Sequence, residues 1–133
     1  MGLIYLDSCL LIYAVENHPT FAPQVLSALA NEDPERFAVS PLTALECLVK
    51  PMRTADLALQ NRYHAALGQL LQLPLPAPVF LEAAQLRAHF ALKTPDALHL
   101  ACAQHHGCSA LWTNDDRLSR AGHGLARNVL AQA

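Results

Sequence analysis

A chain of 133 residues is long enough for one domain with its own hydrophobic core, so we expect a single domain over residues 1–133. The net charge of −2 gives no overall attraction to nucleic acid, and a content of 53% hydrophobic and 15% charged residues leaves apolar surface for a protein partner. There is no apolar run of ~20 residues, no secretory leader and no Cys-x-x-Cys pair. We therefore expect a cytoplasmic protein without membrane attachment.

Short apolar runs alternate with helical patterns along the chain. The predicted strands, in chain order, are residues 3–6, 36–39, a strand of one or two residues within 73–78, 110–112 and 128–130. The predicted helices are residues 8–16, 23–30, 41–50, 55–71, 79–92 and 94–106. Ser40 and Pro41 signal the start of the third helix, Pro51 signals its end, and Gly107 ends the last one. This alternation predicts an α/β fold, with a short, mostly parallel sheet of about four to five strands covered by helices on both faces.

Acidic residues fall near the carboxyl ends of the predicted strands, where open α/β sheets bind ligands. Asp7 follows the first strand, and Asp115 and Asp116 follow the strand at 110–112. Asp96 lies in the first turn of its helix, and Glu46 lies within the third helix. Each has a structural alternative, because the aspartates suit helix caps or turns and Glu46 can pair with the lysine four residues later.

If these carboxylates meet, their charges require compensation. Two of them ~4 Å apart repel by roughly 4 kcal/mol at an effective dielectric of 20, so the cluster needs protons or a cation. Oxygen ligands without cysteine or histidine select Mg²⁺ or Mn²⁺ over zinc. With four acids neutralised in this way, basic residues outnumber the remaining acids, which suits a protein that binds a phosphate backbone.

Three segments of the chain stand in a characteristic order: YLDSCLLIY, SPLTALECLVKP and TPDALHLACAQHHGCSALWTNDDRL. In their residues and separations they resemble the PIN-domain ribonucleases, and the chain over nearly its full length resembles the VapC-type toxins of toxin–antitoxin pairs. The resemblance implies a PIN-like three-layer fold. It also implies a metal-dependent endoribonuclease that hydrolyses RNA phosphodiester bonds and leaves a 5′-phosphate and a 3′-hydroxyl.

The same resemblance implies roles for individual residues. The metal-binding and catalytic carboxylates, which would hold one or two Mg²⁺ or Mn²⁺ ions, are Asp7, Glu46, Asp96 and Asp115. Asp116 is the alternative to Asp115, because an error of one residue in the match to the family's pattern would exchange the two. Ser8 and Thr113 match hydroxyl positions that hold a carboxylate or a metal-bound water, with helix capping as their alternative role. Asn114 can contact phosphate or cap the following turn.

The resemblance further implies an RNA substrate, a homodimer, and an antitoxin protein whose tail lies in a groove beside the helices of residues 8–30 and 43–71. Two other functions compete with this interpretation. A PIN-like protein-interaction or RNA-binding module without catalysis is disfavoured because all four acids are present. A phosphotransferase with Asp7 as nucleophile usually needs a second aspartate two residues later, where this chain has Cys9.

A histidine and cysteine repeat gives a second candidate site. Its members are His99, Cys102, His105 and Cys108. On a helix each step of three residues turns back by about 60°, so the four side chains fan over half the circumference and cannot enclose one zinc ion. We expect His99 to pack in the core or face a partner, although it lies one turn from Asp96 and is within reach of the acids. Candidate RNA contacts are Arg53, Arg62, Arg87, Lys93, Arg117 and Arg120.

Overall fold

Five short strands alternate with seven helices in the computed structural model, which describes residues 2–122 and 124–130. The strands are β1 (Ile4–Leu6), β2 (Phe37–Val39), β3 (Leu71–Gln72), β4 (Ala110–Thr113) and β5 (Ala126–Asn128). The helices are α1 (Ser8–Val15), α2 (Ala22–Ala30), α3 (Pro41–Arg53), α4 (Leu57–Gly68), α5 (Ala77–Phe90), α6 (Thr94–His105) and α7 (Asp116–Ala121). A single 3₁₀ turn, Pro34–Arg36, leads into β2.

The strands form one sheet in the order β3-β2-β1-β4-β5, and every neighbouring pair is parallel. In the register of the sheet, Tyr5 of β1 lies opposite Ala38 on one side and Leu111 on the other. The α/β fold with a parallel sheet is therefore confirmed, at the upper end of the predicted number of strands.

Side chains of the central strands alternate between two cores, because successive residues of a strand point to opposite faces. Tyr5 and Leu111 enter the core beneath α5 and α6. Ile4 and Leu6 enter the core beneath α1 to α4, where Tyr63 is completely buried. The result is three layers, with the sheet in the middle. No helix within the described ranges is long and apolar enough to cross a membrane.

Two predicted helix ends are wrong by three residues, and the helix predicted over residues 79–92 lies two residues earlier, at Ala77–Phe90. The third helix was expected to stop at Lys50, but α3 continues through Pro51 to Arg53. Proline removes only one hydrogen bond in a last turn, and the carbonyl of Pro51 still accepts a bond from the amide of Asp56 at 2.8 Å. The predicted helix over residues 55–71 ends at Gly68, because the chain then pairs with β2 and forms β3 at Leu71–Gln72.

Two strand positions also differ from the prediction. The short third strand precedes the segment 73–78 in which it was expected, because parallel pairing with β2 begins at Leu71. The last strand covers Ala126–Asn128 rather than residues 128–130, because Ala126 lies opposite Leu111 of β4. Pairing with a distant strand sets both positions, and periodicity within a short segment does not report such pairing.

The strand order places a topological switch point at the centre of the sheet. From β1 the sheet extends through β2 and β3 on one side and through β4 and β5 on the other. The connections therefore leave β1 and β4 in opposite directions and open a crevice beyond their carboxyl ends, where α/β proteins bind ligands. The residues that follow these two strands, Asp7 and Asn114, lie at this crevice.

Candidate metal centre

Asp7 lies at the junction of β1 and α1, at the N-cap position of the helix, but its side chain caps no backbone amide. The carboxylate is 6% exposed. Its Oδ2 atom accepts a hydrogen bond of 2.7 Å from the hydroxyl of Thr113, at the end of β4. Because Leu6 pairs with Trp112, the sheet register itself brings these two residues side by side. Asp7 is thus held by the neighbouring strand and not by its own helix.

Glu46 reaches the same crevice from α3. Its Oε1 atom accepts a hydrogen bond of 2.9 Å from the hydroxyl of Ser8, which lies 3.5 Å from Oδ1 of Asp7. The alternative of a pair between Glu46 and Lys50 is wrong, because Lys50 binds Glu16 at 2.6 Å. Ser8 therefore links the first two acids, as its predicted supporting position suggests.

His99 is the residue of this centre that the sequence did not assign to it. Its imidazole is completely buried. Nε2 lies 2.6 Å from Oε1 of Glu46 and 3.8 Å from Oδ1 of Asp7, while Nδ1 lies 2.6 Å from the hydroxyl of Tyr5. The prediction of a packed histidine was right, but the side chain also reaches the acids. The signal in the sequence was its position one helical turn after Asp96.

Asp96 lies in the first turn of α6 and is electrostatically coupled to the other acids. Burial raises the pKa of its carboxyl to about 6 from an ordinary value of 3.8, and the charges of Asp7 and then Asp115 contribute further. A smaller contribution comes from Glu46. These contributions place Asp96 in the electrostatic field of the other acids. Neither Asp96 nor Asp115, however, belongs to the group of ligand atoms of Asp7, Glu46 and His99 that lie within 4.8 Å of one another in the described part of the chain.

Asp115 and Asp116 follow β4 in different orientations. The side chain of Asp115 accepts hydrogen bonds of 2.8 and 3.2 Å from two backbone amides in the first turn of α7, through Oδ1 alone. Its own amide donates to the hydroxyl of Thr113 at 3.0 Å. Asp116 is exposed and accepts a hydrogen bond of 2.8 Å from Asn128. The charge of Asp115 is among those that raise the pKa of Asp96, and the choice between Asp115 and Asp116 as a ligand stays a prediction.

Asn114 separates Thr113 from this pair of acids. Its side-chain amide donates to the hydroxyl of Tyr13 on α1 at 3.1 Å. The contact ties the segment after β4 to the helix that follows β1, across the crevice. This hydrogen bond gives Asn114 a structural role that the sequence did not indicate. It is neither the predicted phosphate contact nor the predicted turn cap, and the phosphate contact stays a prediction.

Glu46 is held in its charged form. Burial acts to raise its pKa, but hydrogen bonds from His99 and Ser8 outweigh burial and place the pKa below its ordinary value. Both donors bind Oε1. Within the described ranges Oε2 accepts no hydrogen bond, so its lone pairs remain for another ligand. At Asp7, Oδ2 binds Thr113, whereas Oδ1 has longer contacts, at 3.5 Å with the hydroxyl of Ser8 and at 3.8 Å with Nε2 of His99.

This donor set fits a divalent cation. Atoms of Asp7, Glu46 and His99 that can bind a metal lie within 4.8 Å of one another, and no other such group occurs in the described part of the chain. Oxygen atoms with free lone pairs, next to a carboxyl whose pKa is raised by its neighbours, are a suitable environment for Mg²⁺ or Mn²⁺. The repeat of His99, Cys102, His105 and Cys108 forms no such group, as its helical spacing predicted.

The candidate RNA contacts divide into two sets. Arg62 and Arg87 donate hydrogen bonds to backbone carbonyls, those of Val15 and Leu92. Among the described residues, no hydrogen bond or ion pair engages the other four side chains, which are Arg53, Lys93, Arg117 and Arg120. Of these, Lys93 directly precedes the helix of Asp96, and Arg117 and Arg120 lie on the helix that Asp115 caps.

A parallel sheet with acids at its central switch point is the arrangement of PIN domains. The sequence profile of the PIN domain matches residues 4–124. The protein therefore belongs to the PIN domain family, as the resemblance of its three segments indicated. No curated protein matches the sequence at a significant level.

Several solved structures share the fold over nearly the whole chain. A toxin–antitoxin complex from Klebsiella pneumoniae aligns with a TM-score of 0.79 and 24% identity, covering 95% of this chain and 97% of that one. VapC20 of Mycobacterium tuberculosis, a toxin that cleaves the sarcin–ricin loop, aligns with a TM-score of 0.76 and 14% identity over 90% and 95% of the two chains. VapBC2 from Rickettsia felis, bound to promoter DNA, aligns with a TM-score of 0.75 and 19% identity over 95% and 98%. At these identities the comparison establishes the PIN fold.

Proposed function

We propose that this protein is a divalent-metal-dependent endoribonuclease that acts in the cytoplasm as the toxin of a VapBC-type pair. The observation that carries the proposal is the cluster of acids at the switch point between β1 and β4. The fold neighbours support it, because one of them is a toxin that cleaves the sarcin–ricin loop and others are toxin–antitoxin complexes. Asp7, Glu46, Asp96 and Asp115 are the proposed metal ligands.

The side chains around the acids prepare the centre for this task. Thr113 fixes one oxygen of Asp7, and Ser8 and His99 fix one oxygen of Glu46. A bound Mg²⁺ or Mn²⁺ supplies positive charge for the scissile phosphate and acidifies a water nucleophile. The protein contributes fixed carboxylates, which lose little orientational freedom when the cation and RNA bind.

A covalent intermediate on the protein is not part of the proposal. Cys9 is the nearest thiol in sequence to Asp7, and burial and then the charge of Asp7 raise its pKa far above the neutral range. It therefore remains protonated and is a poor nucleophile. Hydrolysis by water is the reaction that these side chains support.

An apolar groove on the face of α1, α2 and α4 is the proposed antitoxin site. It has a volume of about 400 Å³ and is lined by side chains that include Leu10, Leu26 and Ala66. Leu26 is half exposed at its rim. The groove lies beside the helices for which the sequence predicted antitoxin binding. An apolar segment of the antitoxin is the occupant that fits this lining, and toxin–antitoxin complexes of the same fold support this assignment.

A second copy of the chain is the proposed partner of α3. Leu45, Val49 and Met52 form one stripe along this helix, and about half of each side chain is exposed. Their spacing of four and three residues places them on one face, which a homodimer would bury. The stripe and the groove account for part of the exposed apolar surface. Exposed apolar side chains outside both include Leu57, Leu71, Phe80 and Leu81.

The decisive experiment is a calorimetric Mn²⁺ titration of the purified protein, free of antitoxin, beside a cleavage assay with structured RNA. Asp96→Asn is the test variant, because it removes one acid of the cluster and keeps the shape of the side chain. We expect the wild type to bind Mn²⁺ and to cleave RNA only with metal, and the variant to lose cleavage by at least 100-fold with its fold intact, since one ligand is missing.

Two outcomes would contradict the proposal. Cleavage that persists in Asp96→Asn or in a chelator would exclude the acid cluster as the catalytic centre. Absence of Mn²⁺ binding in the wild type would favour the PIN-like interaction module without catalysis. Circular dichroism and thermal unfolding of both proteins are the control, because an unfolded variant would show that the acid is structural.

A further inference from the structure

Three buried polar side chains and the partly buried Glu46 form a relay that begins just before α3 and ends on it. The hydroxyl of Tyr5 lies 2.7 Å from the hydroxyl of Ser40, which precedes α3, and 2.6 Å from Nδ1 of His99. The other nitrogen of His99 lies 2.6 Å from Glu46, near the middle of α3. The relay thus connects Ser40, Tyr5, His99 and Glu46 through β1 and α6.

The direction of each hydrogen bond follows from the chemistry of the groups. The Glu46 carboxylate is charged and only accepts, so Nε2 of His99 carries the hydrogen of that bond. When the imidazole is neutral, Nδ1 is then an acceptor, and the hydroxyl of Tyr5 donates to it. The Tyr5 oxygen in turn accepts from Ser40.

The relay is deeply buried, which makes it expensive unless every group is paired. Tyr5, Ser40 and His99 are each completely inaccessible to solvent. No buried side-chain nitrogen or oxygen lacks a hydrogen-bond partner in the part of the chain described here. A fully paired polar network fixes the orientation of its members more sharply than apolar packing does. Its end point is therefore a carboxylate of fixed orientation.

Resting on the function proposed above, we propose that His99 is a positioning residue for the metal centre. It donates to Oε1 of Glu46 and so leaves Oε2 as the oxygen of this carboxylate that is available to the cation. Tyr5 holds the imidazole by its far nitrogen, so that the hydrogen on Nε2 always points at Glu46. His99 itself is then not a metal ligand, although it lies among the acids.

Two substitutions at this position separate the halves of the relay. In His99→Gln the side-chain amide can reach Glu46 in place of Nε2, but the contact with Tyr5 is lost. In His99→Asn the shorter amide can meet Tyr5 in place of Nδ1, but it does not reach Glu46. Both remove the ring and leave a similar cavity, so a purely structural role of His99 predicts similar behaviour of the two variants.

The experiment compares Mn²⁺ affinity by calorimetry, RNA cleavage, and thermal unfolding of the wild type and both variants, with Asp96→Asn as reference. Because second-layer partners typically change metal affinity about 10–100-fold, we expect a weakening of that size in His99→Asn, with a fall in kcat and little change in KM for RNA. In His99→Gln we expect Mn²⁺ affinity within a few-fold of the wild type.

Three results would overturn the inference. Unchanged Mn²⁺ affinity in both variants, with Asp96→Asn defective, would make His99 a structural residue only and leave the proposed function standing. Equal, large losses in both variants would show that the hydrogen bond to Glu46 does not determine metal affinity, and would overturn the positioning role. A wild type that does not bind Mn²⁺ would overturn the inference and the proposed function together.

A further variant covers the case in which His99→Asn does not fold. Tyr5→Phe keeps the imidazole and its bond to Glu46 but removes the hydroxyl that holds the ring. We expect a smaller loss of Mn²⁺ affinity than the one for His99→Asn, again with a fall in kcat and little change in KM for RNA. Wild-type affinity in a folded Tyr5→Phe protein would exclude the relay as a positioning device.

Discussion

Asp96 makes the stability of the metal-free protein depend on pH. Its pKa is about 6 in the folded protein against 3.8 ordinarily, so the folded state binds the proton more tightly than the unfolded chain. The stabilisation from this proton is fully present below about pH 4 and is lost as the pH rises through 6. Urea unfolding between pH 5 and pH 7.5 should therefore show a lower free energy of unfolding at the higher pH.

The same measurement has two controls. Asp96→Asn should remove this part of the pH dependence, because the amide does not titrate. Saturating Mn²⁺ at pH 7.5 should raise the stability of the wild type, since the cation replaces the proton in compensating the charge. A wild-type free energy that rises from pH 5 to pH 7.5 without metal would show that Asp96 does not govern this range.

Thr113 supports two acids with one buried hydroxyl, because it donates to Asp7 and accepts from the amide of Asp115. Thr113→Val keeps the shape of the side chain and removes the hydroxyl. We expect Mn²⁺ affinity to fall roughly 10–100-fold, as for other second-layer partners, and the free energy of unfolding to fall by about 1–3 kcal/mol. Calorimetric titration and urea unfolding measure the two effects.

The matched control for this substitution is Thr54→Val. The hydroxyl of Thr54 is exposed and binds a carbonyl of its own helix, so its loss should change neither quantity measurably. If Thr113→Val bound Mn²⁺ as tightly as the wild type, the hydroxyl would not position Asp7.

The acids of the site could be predicted from the sequence, whereas their hydrogen-bond partners could not. Asp7 and Asp115 follow apolar strands, and Asp96 opens a helix in a motif of recognisable form. The contacts of His99 depend on Tyr5 and Glu46, which lie on other elements and 94 and 53 residues away. Spacing along one helix carries no information about such partners, so the residue was expected only to pack.

At the level of elements, α1, α4 and α7 each have an aspartate at the N-cap, and α1 uses it differently from the other two. The carboxylate of Asp56 accepts a hydrogen bond of 3.0 Å from the amide of Leu59 and caps α4. That of Asp7 makes no such bond with α1 and is directed to Thr113. The N-cap position alone therefore does not identify a structural aspartate, and this ambiguity left the role of Asp7 open in the sequence.

This contrast predicts opposite behaviour of two substitutions. Asp56→Ala should lower the free energy of unfolding by about 1 kcal/mol, as expected for a lost cap, and leave Mn²⁺ affinity unchanged. Asp7→Asn should abolish Mn²⁺ binding without lowering the stability of the metal-free protein, because it removes one charge from a repelling cluster. Thermal unfolding and calorimetry of both variants provide the comparison, and a strongly destabilised Asp7→Asn would show that Asp7 is a structural residue.

Element boundaries were predictable only where local signals decide them. Ser40 and Pro41 start α3 as expected, and the helix that begins at Thr94 ends before Gly107. The position of β3 was not predictable, because Leu71 and Gln72 continue a helical pattern and become a strand only through pairing with Ala38 and Val39. Non-local pairing overrides local preference at the edge of the sheet.

At the level of the whole molecule, the proposed site is acidic while its proposed substrate, RNA, is an anion. Binding of RNA then requires cations around the acids, and Arg117 and Arg120 are exposed on the helix next to Asp115. Substituting both by alanine should weaken binding of a single-stranded RNA. It should also reduce the slope of log affinity against log salt by roughly 0.7 for each lost phosphate contact.

Fluorescence anisotropy at several salt concentrations, in an Asp96→Asn background that prevents cleavage, would measure this slope. Arg62→Ala is the control, because the Arg62 side chain binds the carbonyl of Val15, and it should leave the slope unchanged. An unchanged slope in the double variant would place the RNA path elsewhere on the surface.

The hydrogen bond between Asp7 and Thr113 joins residues 106 positions apart in the chain. A ribosome therefore synthesises the first acid long before the strand that orients it and the acid that follows that strand. While the chain is growing, α6 and β4 are missing and the cluster of acids is incomplete. On the function proposed above, a nascent chain, or a product that terminates before β4, would therefore lack the metal centre. The topology of the sheet thus delays assembly of the proposed centre until synthesis of the fold is nearly finished.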